Sequence, residues 1–444
     1  MIKRATLKPL ALAVTAASFT PVAIASEVLA ELVDSSAHTL NVYFDHFTDA
    51  PSNSQYDARP NHVFVGIESS AQAYVGDAGV IDLKWLTLAT SMDSSHHGVI
   101  DTFDRSEERS ALLTPIVMRY VYEADDYDFA VGLDTVNFGY GELHNSVDAF
   151  GRANTVHPGH AYDLGVWQAA LTYYIEDDIL YYHFMPVDSL SPQPVDSNRW
   201  QGSGGDGYDQ LPNGDDVEDL DNKPLSVTLE NMGHLLRYEA TRSGYDYYLF
   251  GYQGPSPYAV IVANNDINEP YRKLRPVATQ VGAGVSVIVG AHKLYGDAVV
   301  QHTHNQKDED FIRATLGTQL KESNYVKSWG INEVALSLEY AFDTVIREQG
   351  DATDLIFSSS KTRSGRNSLY TRLEIEHTYN WGYAVGYAYN FNDGDSVATL
   401  GAQFKVNDSL KYFAGYTYSD GDEGTPYGAA AENNMLEVGA EWSF

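Results

Sequence analysis

The sequence predicts an all-β chain that closes into an antiparallel transmembrane β-barrel of about 18 strands (16–18). Three observations carry that prediction. The segment Asn434–Phe444 alternates: Leu436, Val438, Ala440, Trp442 and Phe444 share one parity, and Glu437, Gly439, Glu441 and Ser443 the other. A strand sends successive side chains to opposite faces, so this segment has one apolar and one acidic face. Similar segments recur along the chain, separated by connections that are by turns short and long. Lastly, an export-like start is followed by no apolar run of the ~20 residues that a membrane helix needs; the most apolar stretch, 281–291, is too short and holds three Gly.

Taken in order, residues 1–25 read as a secretory signal. Lys3, Arg4 and Lys8 make a positive start, an apolar run follows, and Ala23-Ile24-Ala25 fits a small-residue cleavage site before Ser26. Residues 26–444 then form a single barrel domain. Loss of the three early cations leaves 25 Lys+Arg against 61 Asp+Glu, a formal charge of −36 compared with −33 for the whole chain. So acidic a chain is a poor nucleic-acid binder, because phosphate contacts need clustered Lys and Arg. With no Cys there is no disulfide framework. The 32 Tyr suit aromatic girdles at two membrane interfaces.

Strand candidates run Thr39–Phe47, Val63–Tyr74, Val80–Met92, Leu113–Glu123, Asp128–Asn137, Val166–Ile175, Ile179–Met185, Leu235–Thr241 and Tyr245–Tyr252. The second half continues with Val277–Val289, Leu294–His302, Ile312–Leu320, Val334–Phe342, Leu373–Tyr379, Tyr383–Phe391, Val397–Val406, Tyr412–Tyr418 and the final segment. Short turns such as Gly76–Gly79, Ala124–Asp126, Arg242–Gly244 and Asn407–Ser409 alternate with long connections, the longest being 186–232. The connection His304–Asp310 is expected to be exposed. Closing the sheet leaves no edge, which a bilayer demands because lipid cannot satisfy backbone polar groups.

The last strand, with alternate apolar positions and then Trp442 and Phe444, resembles the assembly signal of bacterial outer-membrane barrels. Over the mature chain, size, signal and loop pattern resemble an outer-membrane porin of a Gram-negative bacterium. Val33-Asp34-Ser35-Ser36-Ala37-His38-Thr39-Leu40, with Tyr43-Phe44 after it, is similar to the opening strand of OprD-type substrate-specific porins, which are also 18-stranded. Maltoporins share the strand count, so the subfamily stays open. The resemblance implies short periplasmic turns, long extracellular loops and placement in the outer membrane. It also implies contact with lipid and lipopolysaccharide, and with the barrel assembly machinery through Trp442 and Phe444. Passive passage of a small hydrophilic solute is the implied function; monomer and homotrimer are both compatible with it.

Charged residues within strands should point inward, because Arg or Lys at mid-depth on the lipid face costs about 2–4 kcal/mol. Parity nominates Arg119, Arg237, Glu239, Arg313, Glu333, Glu339, Arg372, Glu374, Glu376, Lys405, Glu437 and Glu441 as pore-lining. They are of both signs, as at a charged eyelet; a mutually paired interior without selectivity is the alternative. The connection Phe138–Leu164 is expected to fold into the pore. Its candidates are Glu142, His144, Asp148, Arg152, His157, His160 and Asp163, with Gly139, Gly141, Gly151 and Gly159 permitting tight bends.

No metal or other cofactor is expected. His157 with His160, and His302 with His304, lack the spacing of a known zinc motif. In 186–232 the carboxylates Asp196, Asp206, Asp209, Asp215, Asp216, Glu218, Asp219 and Asp221 depart from the EF-hand order; they suggest diffuse cation attraction, with bound Ca²⁺ the alternative. An acidic mouth would favour cations over anions. The chain is not expected to be an enzyme. Asp45-His46 is an acid–base pair, but no Gly-x-Ser-x-Gly nucleophile motif accompanies it. The competing class is a non-channel barrel serving adhesion or surface assembly, with its outer loops as the working surface.

Overall fold

The computed structural model describes residues 21–52, 56–92, 96–100, 110–147, 150, 152–154, 161–187, 191–192, 198–200, 225–264, 271–348, 354–361, 363–422 and 425–444. Within them, eighteen antiparallel strands make a closed barrel: β1 (Ala37–Phe47), β2 (Asn61–Val75), β3 (Gly79–Thr90), β4 (Ser110–Glu123), β5 (Tyr127–Asp134) and β6 (Val166–Ile175). Next come β7 (Asp178–Met185), β8 (Gly233–Arg242), β9 (Tyr245–Pro255), β10 (Val277–Val289), β11 (His292–Thr303) and β12 (Asp310–Glu322). The last six are β13 (Glu333–Arg347), β14 (Ser368–Glu376), β15 (Trp381–Asn390), β16 (Ser396–Lys405), β17 (Leu410–Asp420) and β18 (Met435–Ser443).

Each strand pairs with its neighbour in the chain, and β1 pairs with β18 from Thr39↔Ser443 to Phe47↔Met435. Two further backbone hydrogen bonds, His38 N to Phe444 O at 3.0 Å and Phe444 N to His38 O at 2.9 Å, extend this seam. The barrel therefore has no open edge along it. All eighteen predicted segments lie on the eighteen barrel strands, because an alternating pattern is a local signal that tertiary context does not overturn here.

The register separates two faces. Outward positions include Leu249, Val281, Leu316 and Leu400, each more than half exposed, with Val42, Met118, Leu338, Val385 and Val438 around the wall. So continuous an apolar surface is unstable in water and is matched by lipid. Inward positions are polar, or are covered by loops folded inside.

At the short-turn end, a helix α1 (Pro21–Asp34) lies against β2. β2 runs beyond the start of β1, leaving its last amides without a partner strand. Ser35 Oγ accepts from Gln72 N at 2.9 Å, and Glu31 Oε2 accepts from Tyr74 N at 2.9 Å. Helix α1 thus caps a protruding sheet edge. It crosses the cleavage position expected after Ala25, while residues 1–20 lie outside the described residues.

The long connections carry structure that the alternation did not reveal. His96–Ile100 pairs in parallel with β4. Val260–Ala263, Tyr271–Leu274 and Leu355–Phe357 form a separate three-stranded sheet, which ties two connections together. The stretch 304–310 is the exposed link the sequence suggested only at its start, where Asn305 is exposed; its second half is buried. Asp308 and Glu309 are almost wholly buried, since Ser359 N donates to Asp308 at 3.0 Å and Arg363 Nη2 to Glu309 at 2.8 Å. Polar composition implied exposure; the long-range partners that reverse it lie some fifty residues away.

Candidate pore constriction

The connection after β5 turns into the barrel, and its backbone is held by carboxylates of the opposite wall. Asp297 Oδ2, on β11, accepts from Tyr140 N and Gly141 N, each at 2.8 Å. Glu339, on β13, accepts from Glu142 N at 2.6 Å and Leu143 N at 3.0 Å with Oε1, and from His144 N at 2.7 Å with Oε2. Five consecutive amides thus meet two carboxylates. Tyr295 OH donates to Glu339 at 2.6 Å, and Tyr248 OH donates to Asp297. Such charge-assisted bonds are about twice as strong as neutral ones, and each carboxylate is compensated without a full counter-charge.

Local sequence makes the turn feasible. Gly139 has φ +112°, and a Cβ on Gly141 would stand 2.2 Å from His144 O. Both positions need glycine. Phe138 and Phe150 stack with ring centroids 5.6 Å apart and pack on Phe250 and Tyr252 of β9. Ser146 and Thr315 are hydrogen-bonded at 2.6 Å. Farther on, the hairpin 152–154/162–164 reaches the other side, where Tyr162 stacks on Phe64 of β2 at 6.1 Å.

His144 lies nearly parallel to Tyr370 with centroids 5.2 Å apart, and its Nε2 is 3.4 Å from Arg313 Nη2. Burial, with the Arg313 charge second, pushes its pKa down to about 3. Glu142 accepts from Lys293 Nζ at 2.5 Å. Asp163 accepts from Asn137 Nδ2 at 2.9 Å, and Arg152 opens the short hairpin. Asp148, His157 and His160 fall outside the described residues, as do the eight carboxylates singled out in 186–232.

All twelve strand charges singled out by parity alternate with the outward positions and face the interior. They fall into four settings. Glu333, Arg372, Glu374, Glu376, Lys405 and Glu437 surround a cleft of about 420 Å³, in which Arg372 pairs with Glu374 at 2.7 Å. Arg119 and Arg237 border a second cleft of about 340 Å³, with Asp82, Asp134, Tyr181 and His183. Arg119 is paired to Asp82 at 2.9 Å and to Asp134, while Arg237 lies 4.2 Å from the Tyr181 ring centre and 3.6 Å from Glu239. Arg313 and Glu339 are buried, Arg313 Nε being 3.3 Å from Asp343. Glu441 pairs with Lys411 at 2.9 Å.

Several inward groups escaped the sequence reading: Asp82, Asp134, Lys293, Asp297 and Asp343. The parity rule covers each of them, and applying it to every in-strand charge would have found them. His302 pairs with Asp310 at 3.0 Å, and His304 Nε2 is 2.9 Å from Thr279 Oγ1.

No family model matches the sequence, and no curated protein matches it. Solved structures do resemble it. Pseudomonas aeruginosa OccD3 (OpdP) aligns with a TM-score of 0.51 at 12% identity, over 92% of this chain and 91% of that one. A BenF-like porin from Pseudomonas fluorescens Pf-5 aligns at 0.49 and 10% identity, over 92% and 97%. OpdK from Pseudomonas aeruginosa aligns at 0.48 and 10%, over 92% and 98%. The likeness to OccD3 agrees, at the level of the fold, with the porin resemblance read from the sequence: the chain is a closed 18-stranded antiparallel β-barrel.

Proposed function

We propose that the protein, after removal of residues 1–25, is a porin for passive diffusion of small hydrophilic solutes, favouring cations. The observation that carries this reading is the connection seated inside the barrel by Asp297 and Glu339, which narrows a lumen lined by charges of both signs. A barrel acting only through its outer loops has no need of such a wall. The cation preference rests on the net charge of −36 that remains after residues 1–25 are removed. Trp442 and Phe444 would engage the assembly machinery, and the acidic connection 186–232 would draw the cations that bridge lipopolysaccharide. The test is single-channel recording in planar bilayers under a salt gradient. Stepwise conductance with a cation-selective reversal potential is expected. Silence would favour a surface-assembly or adhesion role, and anion selectivity would overturn the charge argument.

A further inference from the structure

Helix α1 turns one face to the barrel and leaves the other uncovered. On the covered face Glu31 accepts from Tyr74 N and Ser35 from Gln72 N, both of β2, and Val28 and Leu32 are half-buried. On β2 itself the outward-parity Ala71 and Ala73 are buried, whereas Gln72 and Tyr74, on the inward parity, are exposed. The helix therefore lies on the outer side of the wall and not in the lumen. Its other face carries Leu29 and Val33, one turn apart and 63% and 65% exposed, with the exposed Ala30 beside them.

The place of the helix on the wall identifies what covers that face. At the short-turn end the outward side chains on either side are aromatic: Trp442 and Phe444 of the last strand, Tyr120 and Tyr122 of β4, all more than a third exposed. Such residues gather at a membrane–water interface. His38 of β1 lies 5.4 Å from the Phe444 ring, and Ile81 of β3 pairs with Ala73 on one side and Tyr120 on the other. Between these two aromatic groups β2 offers only Ala71 and Ala73, with the helix beside them. The exposed face of α1 is thus continuous with a wall already matched to lipid.

We propose that residues 26–34 form an interfacial helix, lying in the phospholipid leaflet at the short-turn end with Leu29 and Val33 as its lipid contacts. The helix completes the girdle where β2 has no aromatic residue. Residues 26–34 hold no Lys or Arg, so apolar contact, not attraction to anionic headgroups, seats them. A helix shorter than about 12–15 residues is marginal in water, and the bonds to β2 together with the lipid supply what its length lacks. Cleavage after Ala25 leaves these residues in place. The inference needs a membrane barrel but no conductance, so it stands apart from the channel reading.

The chain has no Cys, so single cysteines can carry a fluorophore in the mature barrel, reconstituted in vesicles of phosphatidylethanolamine and phosphatidylglycerol. Leu29→Cys and Val33→Cys report on the helix, Leu400→Cys on the outward wall, and Asp77→Cys on the exposed turn after β2. Aqueous iodide and a nitroxide-bearing lipid are the two quenchers. We expect the helix labels to follow the Leu400→Cys label, with strong quenching by the lipid and at least threefold weaker quenching by iodide than at Asp77→Cys. Iodide access equal to that at Asp77→Cys would overturn the inference and leave α1 as an edge cap only. Protection from both quenchers would overturn it in favour of a protein partner. Loss of lipid quenching at Leu400→Cys as well would overturn the membrane reading itself, so the two failures are told apart. Intact mass gives the start of the mature chain, and a start beyond Val33 would also overturn the proposal.

Discussion

Glu339 shows how one side chain can shape an interior. It is wholly buried, yet no cation among the described residues pairs with it directly; three loop amides and the Tyr295 hydroxyl donate to it instead. Replacing it by Gln puts an NH₂ group where an acceptor was and leaves buried amides without partners, each costing about 1–3 kcal/mol. Glu339→Gln should therefore cut hydrogen-exchange protection of residues 142–144 by on the order of tenfold or more, with the strands still protected. Unchanged protection there would show that the amides do not depend on this carboxylate. His144 adds a pH dependence. Free imidazole takes a proton near pH 6.5, whereas burial holds the docked ring down to about 3. A depressed histidine pKa means that the undocked form binds the extra proton. Docking is fully supported above about pH 6.5 and weakens progressively as pH falls from there toward 3. Exchange at residues 142–147 should quicken over that window, and His144→Gln should flatten the response.

At the scale of elements, sequence and structure agree wherever the determining pattern is local. The alternation in Leu294–His302 places strand β11 without knowledge of any other segment, and a short turn such as Arg242–Gly244 forces its two flanking strands to pair. The seating of the inserted loop is different in kind. Its composition and its glycines suggested a bend, but the acceptors are remote: Asp297 is 157 residues from Tyr140, and Glu339 is 195 from His144. Nothing in the spacing of a single chain brings those residues together. The hydrogen bond from Arg199 to Asn433 is more remote still, at 234 residues, and so was invisible beforehand. Helix α1 is a third case, where two ordinary polar residues, Glu31 and Ser35, matter only because β2 overruns β1.

For the whole molecule, the proposed cation preference has two candidate sources, the surplus carboxylates and the charges inside the barrel. The net charge of −36 left after residues 1–25 acts over distance, whereas the charges inside the barrel are largely paired: Arg119 with Asp82, Arg372 with Glu374, Lys411 with Glu441. Paired charges cancel beyond a few ångströms, so the long-range field belongs to the surplus carboxylates. Salt separates the two sources. The Debye length falls from about 10 Å at 0.1 M to about 3 Å at 1 M, which extinguishes a mouth field but barely touches a contact at the constriction. If the surplus sets selectivity, the cation-to-anion permeability ratio from reversal potentials should fall markedly between those salt concentrations. A ratio that holds steady would move the selectivity inward, to the cleft of 420 Å³, where the carboxylates Glu333, Glu374, Glu376 and Glu437 outnumber the cations Lys321, Arg372 and Lys405. Neutralising Glu376 and Glu437 would then lower the ratio at every salt concentration, whereas under the mouth-field account the same change would leave it nearly unaltered.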